Sequence, residues 1–234
     1  MLDDRKSAVL RAVVQSYIET AQPVGSANVA QAPGVEVSPA TVRNYFSELE
    51  NLEFIMQPHT SSGRLPTEKG YKYYIENLMP VYTLSRKEGL ELTEALKQNN
   101  EEHRAVKSLA KAVAEMAQNA AVVGIGSHDS YYTGLSNLFA QPEFKDWNRI
   151  VSLSDVLDKM DEVLAKLRSV RFEQPTVLIG ADCPFGSLCG SVVVSLPPGY
   201  MIGILGPMRM DYAQATAIMK KIQLLISEKK YDET

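Results

Sequence analysis

Val37-Ser38-Pro39-Ala40-Thr41-Val42-Arg43-Asn44 carries the strongest helix start in the chain. Serine is a preferred N-cap because its hydroxyl accepts an amide hydrogen that the first turn cannot otherwise satisfy, and proline at the next position has no amide hydrogen to lose. Val42, Phe46, Leu49 and Leu52 then recur at helical spacing, which places them on one inward stripe. Ala40, Thr41, Arg43, Asn44 and Ser47 fall outside that stripe. The leading exposed face is therefore small, polar and basic.

Toward the N-terminus, Val9, Leu10, Val13, Tyr17 and Ile18 predict an amphipathic helix, ended by Gln22-Pro23-Val24-Gly25-Ser26. Ser26 reads as the cap of a second short helix through Ala27 to Gln31, and Pro33-Gly34 breaks the chain before the quoted stretch. Toward the C-terminus, Phe54-Ile55-Met56 reads as a short strand and Pro58-His59-Thr60-Ser61-Ser62-Gly63-Arg64 as a polar hairpin tip before Leu65-Pro66. A helix capped by Thr67 then runs from Glu68 to Met79 and is closed by Pro80.

Helix, short helix, tight turn and capped helix make the plan of a helix-turn-helix, and the strand-hairpin-strand supplies a wing. A helix that enters the major groove by its N-terminal end needs small residues there, and side chains such as Arg43 and Asn44 can hydrogen-bond base edges. Gly25, Ser26, Ser38, Pro39, Ala40 and Thr41 belong to the same surface, where hydroxyls and amides can hold phosphates. From the wing, His59, Thr60, Ser61, Ser62 and Arg64 can reach a minor groove or the backbone. The plainer reading of the same pattern is a small helical domain for protein contacts.

Total charge argues against nucleic acid, since the net charge is -4. Residues 1–80 are themselves slightly acidic, with seven bases against nine acids. Charge location argues the other way. Between Val37 and Ser47 the one formal charge is Arg43, and between Met56 and Pro66 it is Arg64, both positive. Glu48, Glu50 and Glu53 belong to the later turns of the helix, which leave the groove.

With 234 residues the chain favours two modules over one large domain. From Leu84 to Ala121 the pattern is helical and charged, with Val106, Leu109, Val113 and Met116 as a stripe and Asn99-Asn100 as a break. Beyond it, four segments are strand-like: Ala121 to Gly126, Thr176 to Gly180, Gly190 to Leu196 and Tyr200 to Leu205. Helical patterns at Leu153 to Leu167 and Tyr212 to Ser227 complete an α+β module.

Apolar runs are broken by Gly, Ser and Pro, so no membrane span is expected. Acids where a signal peptide has bases, together with two cysteines too few for a disulfide scaffold, suggest a cytoplasmic protein. Cys183 and Cys189 read as small buried hydrophobes. Gly124-Ile125-Gly126 lacks the third glycine of a dinucleotide fingerprint, and His128-Asp129 reads as a solvated pair because metal spacing is absent. No cofactor, metal or enzymatic activity is expected. In Gly206-Pro207-Met208-Arg209-Met210-Asp211-Tyr212, Asp211 should cap the last helix and Arg209 should make a fixed structural hydrogen bond to loop carbonyls.

Val24-Gly25-Ser26, Ser38 to Asn44, Leu49-Glu50, Gln57 to Thr67 and Lys69-Gly70-Tyr71 together resemble the N-terminal domain of the HrcA family of bacterial heat-inducible transcription repressors. Gly134-Leu135-Ser136-Asn137-Leu138, Pro142-Glu143-Phe144, Ile179-Gly180 and Gly203 to Tyr212 extend the resemblance into the second module. The resemblance implies an N-terminal winged helix-turn-helix over 1–80, a helical linker over 81–121 and a C-terminal GAF-like α+β domain, reduced in size, over 122–234. It also implies a homodimer that represses chaperone operons through an inverted-repeat operator in double-stranded DNA, the CIRCE element, with the GroE chaperonin as a partner. Between Gly126 and Gly134 the chain is short, where typical members carry part of the GAF-like sheet and an inserted dimerisation region. The alternative is a protein-interaction or small-ligand-sensing module whose winged helix no longer binds DNA specifically.

Overall fold

In the computed structural model, residues 2–98, 101–125, 129–145, 158–197 and 199–232 are described. The chain divides into two compact units, Met1–Pro80 and Val81–Thr234. Gly126, His128, Asn99-Asn100 and the start of the helix expected from Leu153 lie outside the described residues.

The first unit runs α1 (Asp4–Thr20), α2 (Ser26–Ala30), α3 (Pro39–Asn51), β1 (Ile55–Met56), β2 (Leu65–Pro66) and α4 (Glu68–Asn77). α1 starts at Asp3, whose carboxylate accepts the Lys6 amide at 2.9 Å, and ends at Ala21 in the left-handed region with φ 54°. Val9, Leu10, Val13 and Val14 of α1 are buried with Val42, Phe46 and Leu49 of α3. Each such side chain contributes roughly 1.5–3 kcal/mol on leaving water. Leu52 departs from the expected stripe: it is 44% exposed because α3 stops at Asn51 and the chain turns away.

Ser26 does not cap α2. Gly25 is the N-cap, in extended conformation and with no side-chain bond, and its carbonyl accepts the amides of Asn28 and Val29 at 3.1 and 3.2 Å. β1 and β2 pair antiparallel, Ile55 with Pro66 and Met56 with Leu65. Gly70 in α4 lies against the Phe54 carbonyl so closely that a Cβ would sit on the oxygen.

The second unit is α+β. It contains α5 (Arg86–Lys97), α6 (Glu102–Ala117), β3 (Ala120–Ile125), β4 (Asp129–Thr133), α7 (Leu135–Phe139), α8 (Met160–Ser169), β5 (Thr176–Ile179), β6 (Cys189–Leu196), β7 (Tyr200–Pro207) and α9 (Tyr212–Asp232). The five strands form one antiparallel sheet in the order β4-β3-β7-β6-β5. Residues 81–121, expected to be a linker, are part of this unit: α5 and α6 pack on each other and α6 packs on β3.

β3, β6 and β7 carry near-continuous apolar runs because both faces of the sheet are covered. Val122, Val193, Met201 and Leu205 pack with Leu138, Met160, Leu164 and Leu167 from α7 and α8. On the opposite face α9 lies along β6, and Gly190 makes room for the Tyr212 hydroxyl. The edge strands are less buried, β4 most of all.

Candidate nucleic-acid interface

At the head of α3 the Ser38 hydroxyl accepts the Thr41 amide at 3.2 Å and lies 3.0 Å from the Thr41 hydroxyl, with Pro39 in the first turn. Ser38, Pro39 and Ala40 are exposed, Thr41 is half-buried, and Arg43 and Asn44 are exposed one turn on. The Arg43 guanidinium rests along the helix, its Nε donating to the Pro39 carbonyl at 3.3 Å. That bond joins two exposed groups, so it exchanges readily for another acceptor.

The acids that follow Arg43 are each held by a base of the same unit. Lys6 Nζ lies 2.8 Å from Glu48, Arg64 Nη2 3.0 Å from Glu50, and Lys69 Nζ 3.5 Å from Glu53. Lys6 also binds Asp3 at 3.0 Å, and the hydrogen bonds to Glu48 and Asp3 hold its pKa well above the usual lysine value. In water an exposed pair stabilises little. Its consequence here is electrostatic: the acidic half of α3 is compensated locally, and Arg43 faces outward ahead of it.

Arg64 is placed differently from the expectation of a free wing cation. Its side chain is only 17% exposed, paired with Glu50, stacked 5.6 Å from the Phe46 ring centre and 3.4 Å from the Ser62 carbonyl. Its backbone exchanges two hydrogen bonds with Val24, at 2.8 and 2.9 Å. Arg64 therefore fastens the hairpin to α3 and to the turn after α1. Gly63 beside it is obligatory, because a Cβ there would meet the Val24 backbone at 2.5 Å.

The hairpin tip is braced from within. Gln57 Nε2 donates to the Thr60 and Ser62 carbonyls at 2.9 and 3.0 Å, and the Ser62 hydroxyl accepts the His59 amide at 3.0 Å. His59, Thr60 and Ser61 are left exposed at the tip, and Ser62 is half-buried. Gln57 enters the sequence reading only as the first residue of the Gln57 to Thr67 motif, with no role of its own. A lone glutamine beside a polar loop carries no pattern, and only the closed loop shows which carbonyls it satisfies.

Among the described residues of the second unit, nothing comparable assembles. Asp211 caps α9, accepting the Gln214 amide at 3.0 Å, as expected. Arg209 has a structural role: its Nε donates to Glu143 and its Nη2 to Gln141 Oε1 at 2.8 Å. Burial pushes the Cys183 thiol up to about 11 and the Cys189 thiol up to about 12, so both are protonated near neutral pH. Among the described residues no group of His, Cys, Asp or Glu is arranged to hold a metal ion, and no helix is long and apolar enough to cross a membrane.

The first unit is compact and helical and presents the capped start of α3 at its surface, and the second is a sheet domain covered on both faces. The chain belongs to the HrcA family: residues 82–216 match the model of the HrcA protein C terminal domain. It is 54% identical over 87 residues to the heat-inducible transcription repressor HrcA of Pelotomaculum thermopropionicum, covering 37% of this chain and 25% of that protein. To the same-named protein of Halalkalibacterium halodurans it is 38% identical over 124 residues, covering 53% and 36%. The matched stretches thus span from a quarter to just over a third of these relatives' lengths. A crystal structure of a hypothetical protein shares the fold, with a TM-score of 0.74 and 18% identity over 100% of this chain and 99% of that one.

Proposed function

We propose that this protein is a transcriptional repressor of heat-shock operons, with residues 1–80 acting as a winged helix-turn-helix on DNA and the second unit as a GAF-like regulatory domain. α3 is the recognition helix. Ala40, Thr41, Arg43 and Asn44 meet base edges in the major groove, Ser38 and Pro39 set the helix entry, and His59, Thr60 and Ser61 contact the backbone from the wing. Gly25, Ser26, Ser62 and Arg64 support this surface by fixing α2 and the hairpin.

The observation that carries the reading is the head of α3. Arg43 and Asn44 stand exposed on a capped first turn, while Glu48, Glu50 and Glu53 are each paired within the unit. Such a surface offers donors to base edges and leaves no uncompensated acid on α3 to repel phosphates.

A single winged helix buries too little surface for high specificity, so the operator is an inverted repeat of the CIRCE type read by a homodimer. Heat releases the repressor, and the GroE chaperonin restores it. The test is a gel shift of the full chain on an inverted-repeat duplex, on one half-site and on random DNA. Preference for the full repeat supports the reading. Equal affinity for the half-site overturns the dimeric operator, and equal affinity for random DNA overturns specific repression.

A further inference from the structure

Among the described residues, one face of α5 is left exposed by its own unit. Arg86, Leu90 and Glu94 recur every fourth residue, so they form one stripe, and all three are exposed. Leu90 is 50% exposed and Leu224, on the neighbouring α9, is 58% exposed. Between them runs a groove of about 530 Å³ whose lining includes Tyr82, Gly89, Leu90, Thr93, Lys221 and Leu224.

The stripe has an order: a base, then an apolar residue, then an acid. Beside it Lys87 and Glu91 pair with each other within the helix, 3.8 Å apart. If two such helices cross antiparallel about a two-fold axis at Leu90, each Arg86 meets the partner's Glu94, because both lie four residues, about 6 Å, from the axis. A two-fold interface must be self-complementary in this way.

Gly89 fits the same picture. Glycine weakens a helix interior, and here no internal contact demands it: an added Cβ would meet only the Lys221 Cε, at 3.9 Å. Its absence lowers the helix surface next to Leu90. The start of α5 is also fixed rather than frayed. Ser85 accepts the Glu88 amide at 3.2 Å, Glu88 accepts the Ser85 amide at 2.7 Å, and the Tyr82 hydroxyl donates to Glu88 at 3.1 Å.

We propose that the α5–α9 face is a homodimer interface, in which a second copy of this chain lays its α5 antiparallel across Leu90 and pairs Arg86 with Glu94 in both directions. The apolar groove then receives Leu90 and Leu224 of the partner subunit. This names the contact that the operator reading leaves open, and it rests on that reading only for the existence of a dimer.

The test is absolute mass by light scattering and dimer dissociation by dilution, on the full chain and on charge-swap variants. The wild type should weigh twice the 25.9 kDa of one chain. Arg86→Glu and Glu94→Arg should each raise the dimer dissociation constant by at least roughly tenfold, because like charges then meet twice. The double variant R86E/E94R should restore it, since the pairs are remade with reversed sign. These positions are solvent-exposed, and circular dichroism checks that each variant stays folded. Leu90→Cys should also cross-link to itself on mild oxidation. A dimer indifferent to all of these overturns the interface while leaving the operator reading intact. A wild-type monomer overturns both the interface and the dimeric operator, and singles that weaken without rescue by the double overturn the two-fold geometry.

Discussion

Arg43 stands exposed at the head of α3. Its replacement by Ala should cost about 1–3 kcal/mol on the operator and relax base preference, as loss of a base-edge contact does. Titration on operator and random duplexes checks this, and equal losses on both would contradict a base-reading role. Arg64 belongs to a different class. Because it is 17% exposed and paired with Glu50, Arg64→Ala should lower the stability of the first unit by about 1–3 kcal/mol. Glu50→Gln should lower the melting temperature and DNA affinity together, in the same direction as Arg64→Ala. If Glu50→Gln instead strengthens binding to all DNA, Arg64 is a phosphate contact after all. The sequence shows two isolated bases in two polar stretches. It cannot show that one of them is folded inward, because the acid that captures Arg64 lies on another element.

At the scale of elements, α3 is specified locally and its setting is not. The Ser38 cap and Pro39 act within one turn, so the start of α3 is legible directly, and Ser38→Ala should cost about 1 kcal/mol. Chemical denaturation of the first unit measures that loss. Gly70 tests the joint between elements: Gly70→Ala should destabilise by about 1–3 kcal/mol through overpacking against the Phe54 carbonyl. A Gly70→Ala variant as stable as wild type would show that α4 can shift away from β1 freely. Strands β3, β5, β6 and β7 are legible as apolar, β-branched-rich runs within two residues at each end. β4, reading Asp129-Ser130-Tyr131-Tyr132-Thr133, gives no apolar signal because it is a partly exposed edge whose strand pairing is with β3. Ser26 reads as a cap by residue type, whereas the backbone sets Gly25 in that place.

For the whole molecule, the two cysteines provide a reporter confined to one unit. Both lie in the second unit, 5% and 2% exposed, and the sequence places none in the first. Thiol reagents should leave the folded protein unmodified at neutral pH and label it once the second unit opens. If heat releases the repressor through that unit, labelling and loss of operator binding should rise at the same temperature. Loss of binding with the thiols still protected would place the heat response elsewhere. The pH response has a definite sign. Folding raises the thiol values from 9.0 to about 11 and about 12 by burial, so the native state holds protons that the unfolded state releases. Their contribution is complete below pH 9.0 and is lost as pH rises toward about 12. Tyr212, also raised by burial, acts in the same direction. Urea melts at pH 8 and pH 10 should show the second unit weakening at the higher value.

The sequence by itself determined the features that act over a few residues: the Ser38 and Asp211 caps, the helical stripes of α1, α3 and α6, the apolar strands and the polar hairpin tip. These depend on backbone hydrogen bonding and side-chain periodicity, which neighbours in the chain control. Tertiary structure decided which charges are free and which are spent. Glu48, Glu50 and Glu53 find Lys6, Arg64 and Lys69, and Arg209 finds Glu143 and Gln141. It also joined the supposed linker helices to the sheet domain and left Leu90 and Leu224 uncovered. Pairing and burial depend on distances between elements, and residues remote in the chain come within reach only when the fold closes.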